Sequence, residues 1–184
     1  CFEGKVEGCE FSNSENTAGF IYIIRDPRSV AVSNSYHEEI SISKSVDQIL
    51  NPKRFSNVQE LYMEFRSSWQ NHYLSWKNKN WEGLFIKYED LHNDTFNNLK
   101  KILVFIKKYI EIEIDENKIK EVINISSFNN LSKIEQTLGF KENPSKERFF
   151  RKGLIDEWKK SLSKDLIIKI EENFKKEMKE LNYL

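Results

Sequence analysis

The chain has 184 residues, enough for one domain with its own buried core, and a single domain over residues 1–184 is expected. Its 29 basic and 29 acidic side chains cancel, which excludes the marked basic excess of a general nucleic-acid or polyanion binder; any anionic ligand must be held by a few placed cations. Lys far outnumbers Arg, Cys1 and Cys9 form neither a C-x-x-C pair nor a zinc ligand set, and the longest apolar run near the start, Phe20 to Ile24, is too short to span a bilayer.

In chain order, residues 1–19 read as loop, with turn formers Asn13, Ser14, Asn16 and Thr17. Phe20 to Ile24 is an apolar strand that runs into Arg25 and breaks at Asp26-Pro27. A residue before proline is driven toward extended geometry and proline suits the first helical position, so a helix is predicted from Pro27 to about Glu39. Ser45 to Leu50 is a short helix stopped before Pro52. From Val58 to Trp76, Leu61, Phe65, Trp69, Tyr73 and Trp76 keep helical spacing, which predicts one long amphipathic helix. A second strand covers Leu84 to Tyr88. Asp94 caps a helix to Tyr109 with Leu99, Leu103 and Ile106 inward, and Asp115 starts another through Ile119, Val122 and Ile123. Phe128 to Leu138 is helical and ends at Gly139. Lys141 to Phe150 is a polar loop, and Ser163 to Leu181 a terminal helix with Leu166, Ile170, Phe174 and Met178 on one face. This alternation implies an α/β fold with a parallel sheet flanked by helices, as in P-loop nucleotide-binding proteins, although two convincing strands are too few for such a sheet.

Arg25 stands at the carboxyl end of its strand, the edge where open α/β sheets hold ligands. Arg28 lies in the first helical turn, and Ser29 and Ser33 share a helix face. A fixed guanidinium with a nearby hydroxyl can grip a phosphate, whereas an ion pair between Arg25 and a carboxylate is the plain alternative. Glu89 and Asp90, read as adjacent residues at a strand end, point to opposite faces and cannot form a facing acid/base dyad; one of them is expected to tie down a neighbouring helix or loop.

The segment from Arg25 to Ser33, R-D-P-R-S-V-A-V-S, resembles the R-x-P-x-x-x-x-x-S motif with which sulfotransferases that use 3′-phosphoadenosine-5′-phosphosulfate (PAPS) bind the 3′-phosphate. Gly83 to Leu91, G-L-F-I-K-Y-E-D-L, is similar to that family's second recurrent strand end. Arg151 to Lys159, R-K-G-L-I-D-E-W-K, resembles its R-K-G-x-x-G-D-W-K loop. Asp156 stands where the family has Gly, and Glu157 where it has Asp. Both lie on the far side of the loop from Arg-Lys-Gly, so the expectation is an altered backbone shape and unaltered phosphate chemistry.

The resemblance covers nearly the whole chain. It implies a sulfotransferase that moves a sulfuryl group from PAPS to a hydroxyl or amine, releasing 3′-phosphoadenosine-5′-phosphate (PAP) and needing no metal. It assigns Arg25 and Ser33, with Arg151, Lys152 and the backbone of Gly153, to the 3′-phosphate. Tyr88, Ser126 and Phe128 fall beside the adenine, although Phe128 alone reads equally well as a core residue at a helix start. None of His37, His72 and His92 matches the family's catalytic histidine, and only His37 is expected near the substrate side, in a surface or packing role.

The family's 5′-phosphosulfate loop with its Lys, and the Lys-Thr-His segment that carries the base, find no counterpart in this sequence. The implied fold is therefore an N-terminally incomplete P-loop-like sheet, the C-terminal portion of a sulfotransferase domain, expected not to turn over alone. An apolar edge along Phe20 to Ile24 would then be open to oligomer formation. The implied acceptor is a small molecule or carbohydrate rather than a nucleic acid, in the cytoplasm unless a signal anchor lies upstream. Two other classes stay open: a non-catalytic PAP-binding or interaction module, and a kinase-like P-loop transferase, which would need a Walker loop and magnesium ligands.

Overall fold

A computed structural model describes residues 5–6, 9–10, 13–58, 62–140 and 148–184. Strand β3 (Phe20–Ile24) pairs in parallel with β6 (Gly83–Lys87), in register from Phe20 opposite Gly83 to Ile24 opposite Lys87. A Cβ at Gly83 would lie 2.2 Å from the Phe20 ring, so only glycine lets the aromatic cross the neighbouring strand. Phe20, Tyr22 and Phe85 form an aromatic face on this pair, joined by Trp76 at 4.9 Å from Phe20. Ile21 and Ile23 point the other way and are 37 % and 49 % exposed. The loop expected over residues 1–19 contains a short antiparallel pair, β1 (Lys5–Val6) with β2 (Cys9–Glu10).

Helix α1 (Pro27–His37) follows β3 as the Asp-Pro break predicts: Asp26 has ψ 122° and its side chain accepts the Arg28 amide at 2.8 Å. Arg28 is not a solvated first-turn residue. It is buried, donates from Nε and Nη2 to the Asp26 carboxylate at 3.0 and 2.7 Å, and from Nη2 to the Tyr183 carbonyl at 2.8 Å. Its Nη1 reaches Glu171, and its guanidinium lies 3.9 Å over the Trp158 ring. Helix α2 (Ile42–Leu50) packs on α1, and the buried Ser45 hydroxyl donates to the Ala31 carbonyl at 2.7 Å.

The single helix predicted from Val58 to Trp76 is replaced by a hairpin and a shorter helix. Strands β4 (Phe55–Val58) and β5 (Tyr62–Phe65) are antiparallel, α3 spans Trp69–Lys77, and Leu61 lies outside the described residues. Ser67 has φ 58°, a left-handed backbone no helix can absorb, and Ser68 then caps α3 by accepting from the Asn71 amide. The apolar spacing that suggested one helix thus spans two kinds of element.

After β6 the chain turns at once into α4 (Tyr88–Asn93), then α5 (Thr95–Ile106), α6 (Glu116–Ile125) and α7 (Phe128–Leu138), with Asp94 and Asp115 as the caps of α5 and α6. Glu89 and Asp90 are therefore helical rather than strand residues, and the alternating-face argument does not apply to them. The terminal helix is likewise divided, into α9 (Lys164–Asn173) and α10 (Lys175–Glu180), preceded by the short α8 (Trp158–Ser161). Its predicted apolar face survives the break at Phe174: Ile170, Phe174 and Met178 bury against Ala31, Val32, Val46 and Ile49 of α1 and α2. Each such side chain contributes about 1.5–3 kcal/mol. Among the described residues no helix is long and apolar enough to cross a membrane.

Candidate functional site

Because β3 and β6 are parallel, their carboxyl ends open on the same edge, and the residues that follow them become neighbours. Arg25, after β3, lies with its guanidinium 4.3 Å over the ring of Tyr88, the residue after β6. The Arg25 carbonyl accepts from Trp69 Nε1 at 3.0 Å, which fixes the backbone at this turn. Glu89 ties the two strand ends together: its Oε1 accepts the Asp26 amide at 3.0 Å and its Oε2 the Tyr183 hydroxyl at 2.8 Å. Burial first, and the Glu89 charge second, push the Tyr183 phenol far up, so it stays protonated as a donor.

The loop from Arg151 to Glu157 docks onto this edge through its own carbonyls. Gly153 presents its oxygen to His92 Nε2 at 3.0 Å, Leu154 to Arg25 Nη2 at 3.2 Å, and Ile155 to the Ser29 hydroxyl at 2.7 Å. Gly153 has φ 63°, and a Cβ there would lie 2.6 Å from the Phe128 ring, so the close approach of loop and ring depends on glycine. At the other end, the Phe149 and Phe150 amides donate to the Glu135 carboxylate of α7 at 2.7 and 3.0 Å.

These contacts enclose a cleft of about 560 Å³, a volume suited to a nucleotide-sized ligand. Its wall contains every residue that the family resemblance assigns to the nucleotide: Arg25, Ser33, Tyr88, Ser126, Phe128, Arg151, Lys152 and Gly153. Ser33 is exposed on α1, the Ser126 hydroxyl donates to the Val122 carbonyl, and Phe128 is 37 % exposed, more open than a core residue. Arg25 Nε is buried without a hydrogen-bond partner among the described residues, an orphaned donor that costs about 1–3 kcal/mol. Arg28, at a variable position of the same segment, is absent from the cleft and is committed instead to Asp26, Glu171 and Tyr183.

One expectation is reversed. Glu157 does not stay on the far side of its loop: Arg151 Nη1 donates to Glu157 Oε1 at 2.8 Å, Nη2 bonds Oε2, and Lys152 Nζ reaches Oε1 at 2.8 Å. The longer glutamate side chain folds back over its own turn. Hydrogen bonds from Arg151, and secondarily Lys152, hold the Glu157 carboxyl below its usual range.

Several wall residues were not singled out beforehand. Tyr36 follows Ser33 by three positions and so shares its face of α1, and its ring lies 3.6 Å beneath the Arg151 guanidinium. Phe149 and Phe150 adjoin Arg151 in sequence, and their adjacency to a cation motif was the available signal. His37 lines the cleft, and His92 also reaches the site through Gly153, which nothing in its sequence neighbourhood indicated.

Comparison with known proteins shows the family. The sequence profile of the sulfotransferase domain matches residues 10–182. The chain belongs to the sulfotransferase family. Sulfotransferase 1E1 of Mus musculus is 30 % identical over 176 residues, covering 90 % of this chain and 57 % of that protein. Luciferin sulfotransferase of Photinus pyralis is 26 % identical over 178 residues, covering 89 % of this chain and 45 % of its own length. The chain thus spans about half the length of the sulfotransferases it matches. The crystal structure of mouse sulfotransferase SULT7A1 complexed with PAP superposes with a TM-score of 0.66 at 20 % identity, over 94 % of this chain and 62 % of that one, a likeness of fold.

Proposed function

We propose that the cleft binds the nucleotide part of PAPS, as the donor end of a sulfotransferase that passes a sulfuryl group to a hydroxyl or amine of a small-molecule acceptor and leaves PAP. The observation that carries this reading is the convergence, on one sheet edge, of Arg25, Ser33, Arg151 and Lys152 with Tyr88, Ser126 and Phe128. The cations and the Ser33 hydroxyl suit a 3′-phosphate, and a phosphate oxygen would give the orphaned Arg25 Nε an acceptor. The aromatic rings suit a purine face. The solved mouse sulfotransferase with PAP bound supports the same ligand class.

In this scheme the residues described do not touch the reacting sulfur. They hold the donor in register, so their contribution to rate is positional. The Tyr88 ring keeps the Arg25 guanidinium in place, and the carbonyl contacts of the Arg151 loop close the cleft around the bound phosphate. Transfer itself requires a base to take the acceptor's proton and cations at the bridging oxygen.

Calorimetric titration of the chain with PAP, AMP and ATP tests the reading. PAP should bind at least tenfold tighter than AMP, a difference of about 1.4 kcal/mol or more for the 3′-phosphate. ATP binding tighter than PAP would overturn it in favour of a kinase-like site. Transfer from labelled PAPS to a panel of alcohols, phenols, amines and sugars then identifies the acceptor class.

Phe128 gives a second check. Phe128→Leu keeps most of the side-chain volume but removes the ring face, so nucleotide affinity should fall by about 1 kcal/mol while the melting temperature stays within a few degrees. A lowered melting temperature with unchanged affinity would mark Phe128 as a packing residue only.

A further inference from the structure

The Arg151 loop carries its own anion into the cleft. Glu157 takes both terminal nitrogens of Arg151 in an end-on fork and the Lys152 ammonium as well, and its carboxylate side chain is only 12 % exposed. Both cations line the cleft, as does Glu157. The fork is the geometry a phosphate would use, so the carboxylate and an incoming phosphate need the same donors. With Glu157 in place the trio carries a net charge of one; with Glu157 withdrawn, the two cations face the ligand unopposed. Nor is the carboxylate required to hold the guanidinium, because Tyr36 supports its plane at 3.6 Å.

We propose that Glu157 is an internal counter-ion that holds the cations of the phosphate seat and must release Arg151 and Lys152 before a 3′-phosphate can take them. The proposal rests on the nucleotide reading given above. It makes Glu157 a residue that narrows the margin by which the cleft prefers a 3′-phosphate, because only a ligand carrying that group has to displace it. A ligand without a 3′-phosphate leaves the Arg151–Glu157 fork intact and gains nothing from these cations. A dianionic phosphate competes for them and supplies more charge than the carboxylate it replaces. The cost is affinity: a paired state holding about nine-tenths of the population lowers the apparent affinity for the displacing ligand about tenfold.

The test is calorimetric titration of the chain and of its Glu157→Gln and Glu157→Asp variants with PAP and with AMP. Glu157→Gln keeps the shape and removes the charge, and should raise PAP affinity about tenfold while leaving AMP affinity within about twofold. Glu157→Asp keeps the charge but loses one methylene of reach, so it should hold the cations less well and raise PAP affinity by about threefold. Unchanged or weaker PAP binding in Glu157→Gln, with the unmodified chain still preferring PAP to AMP, would overturn the counter-ion role and leave the nucleotide site standing. Failure of the unmodified chain to distinguish PAP from AMP would instead remove the nucleotide reading and this inference with it. If Glu157→Gln does not fold, Glu157→Asp decides: weaker PAP binding there means that Glu157 positions the cations rather than competing for them.

Discussion

Replacing Arg28 with methionine should lower the stability of the protein by about 3–5 kcal/mol, the largest single-site effect we expect outside the apolar core. Methionine can fill much of the same volume over Trp158, so the loss isolates the charge and its hydrogen bonds. The Arg28 side chain is only 8 % exposed, as is that of Asp26, and the guanidinium serves Asp26, Glu171 and the Tyr183 carbonyl together. Removing it leaves two carboxylates and a carbonyl near one another with no cation. Asp26 would then lose the partner that keeps it aligned as the cap of α1, adding about 1 kcal/mol. Denaturant unfolding of the variant measures the difference, with the midpoint falling and the slope unchanged. A loss under about 1 kcal/mol would mean that the cluster is open to water in solution.

Arg25→Ala should weaken PAP binding by about 10- to 100-fold, or roughly 1.5–3 kcal/mol, while AMP binding changes little. The expectation follows from the proposed 3′-phosphate contact and from the orphaned Arg25 Nε. Arg25 also holds the Leu154 carbonyl and stacks on Tyr88, so the variant needs a control for loop displacement. AMP is that control: it uses the same base pocket but carries no 3′-phosphate. Equal losses for PAP and AMP would show that Arg25 shapes the cleft and does not grip the phosphate.

Much of this was legible in the sequence because it depends on local rules. The Asp26-Pro27 break, the caps at Asp94 and Asp115 and the stop at Gly139 each follow from one or two residues. Six of the eight site residues were legible because three short motifs place them at or just after strand ends and in one loop, and parallel pairing then brings the strand ends together; Ser126 and Phe128 lie outside those motifs, at the junction of α6 and α7. What remained hidden depends on partners distant in the chain. Arg28 could be placed only in the first turn of its helix, because its partners Glu171 and Tyr183 lie far away in sequence. The β4–β5 hairpin was obscured because its apolar positions happen to continue the spacing of α3, and only the left-handed Ser67 separates the two. Glu157 was visible as a departure from the family loop, but its reach back to Arg151 depends on the turn geometry as well as on the longer side chain.

The Arg151 loop is held by three successive backbone oxygens, at Gly153, Leu154 and Ile155, each received by a side chain from a different element. Backbone latches are indifferent to what the latched residues carry. The Leu154 side chain is 55 % exposed while its carbonyl is engaged, so position 154 can accept a foreign group without disturbing the anchorage. A cysteine introduced there, with Cys1 and Cys9 replaced by serine, and labelled with an environment-sensitive dye would sit on the rim of the cleft. Its emission would report, in real time, the arrival and departure of whatever the cleft takes up.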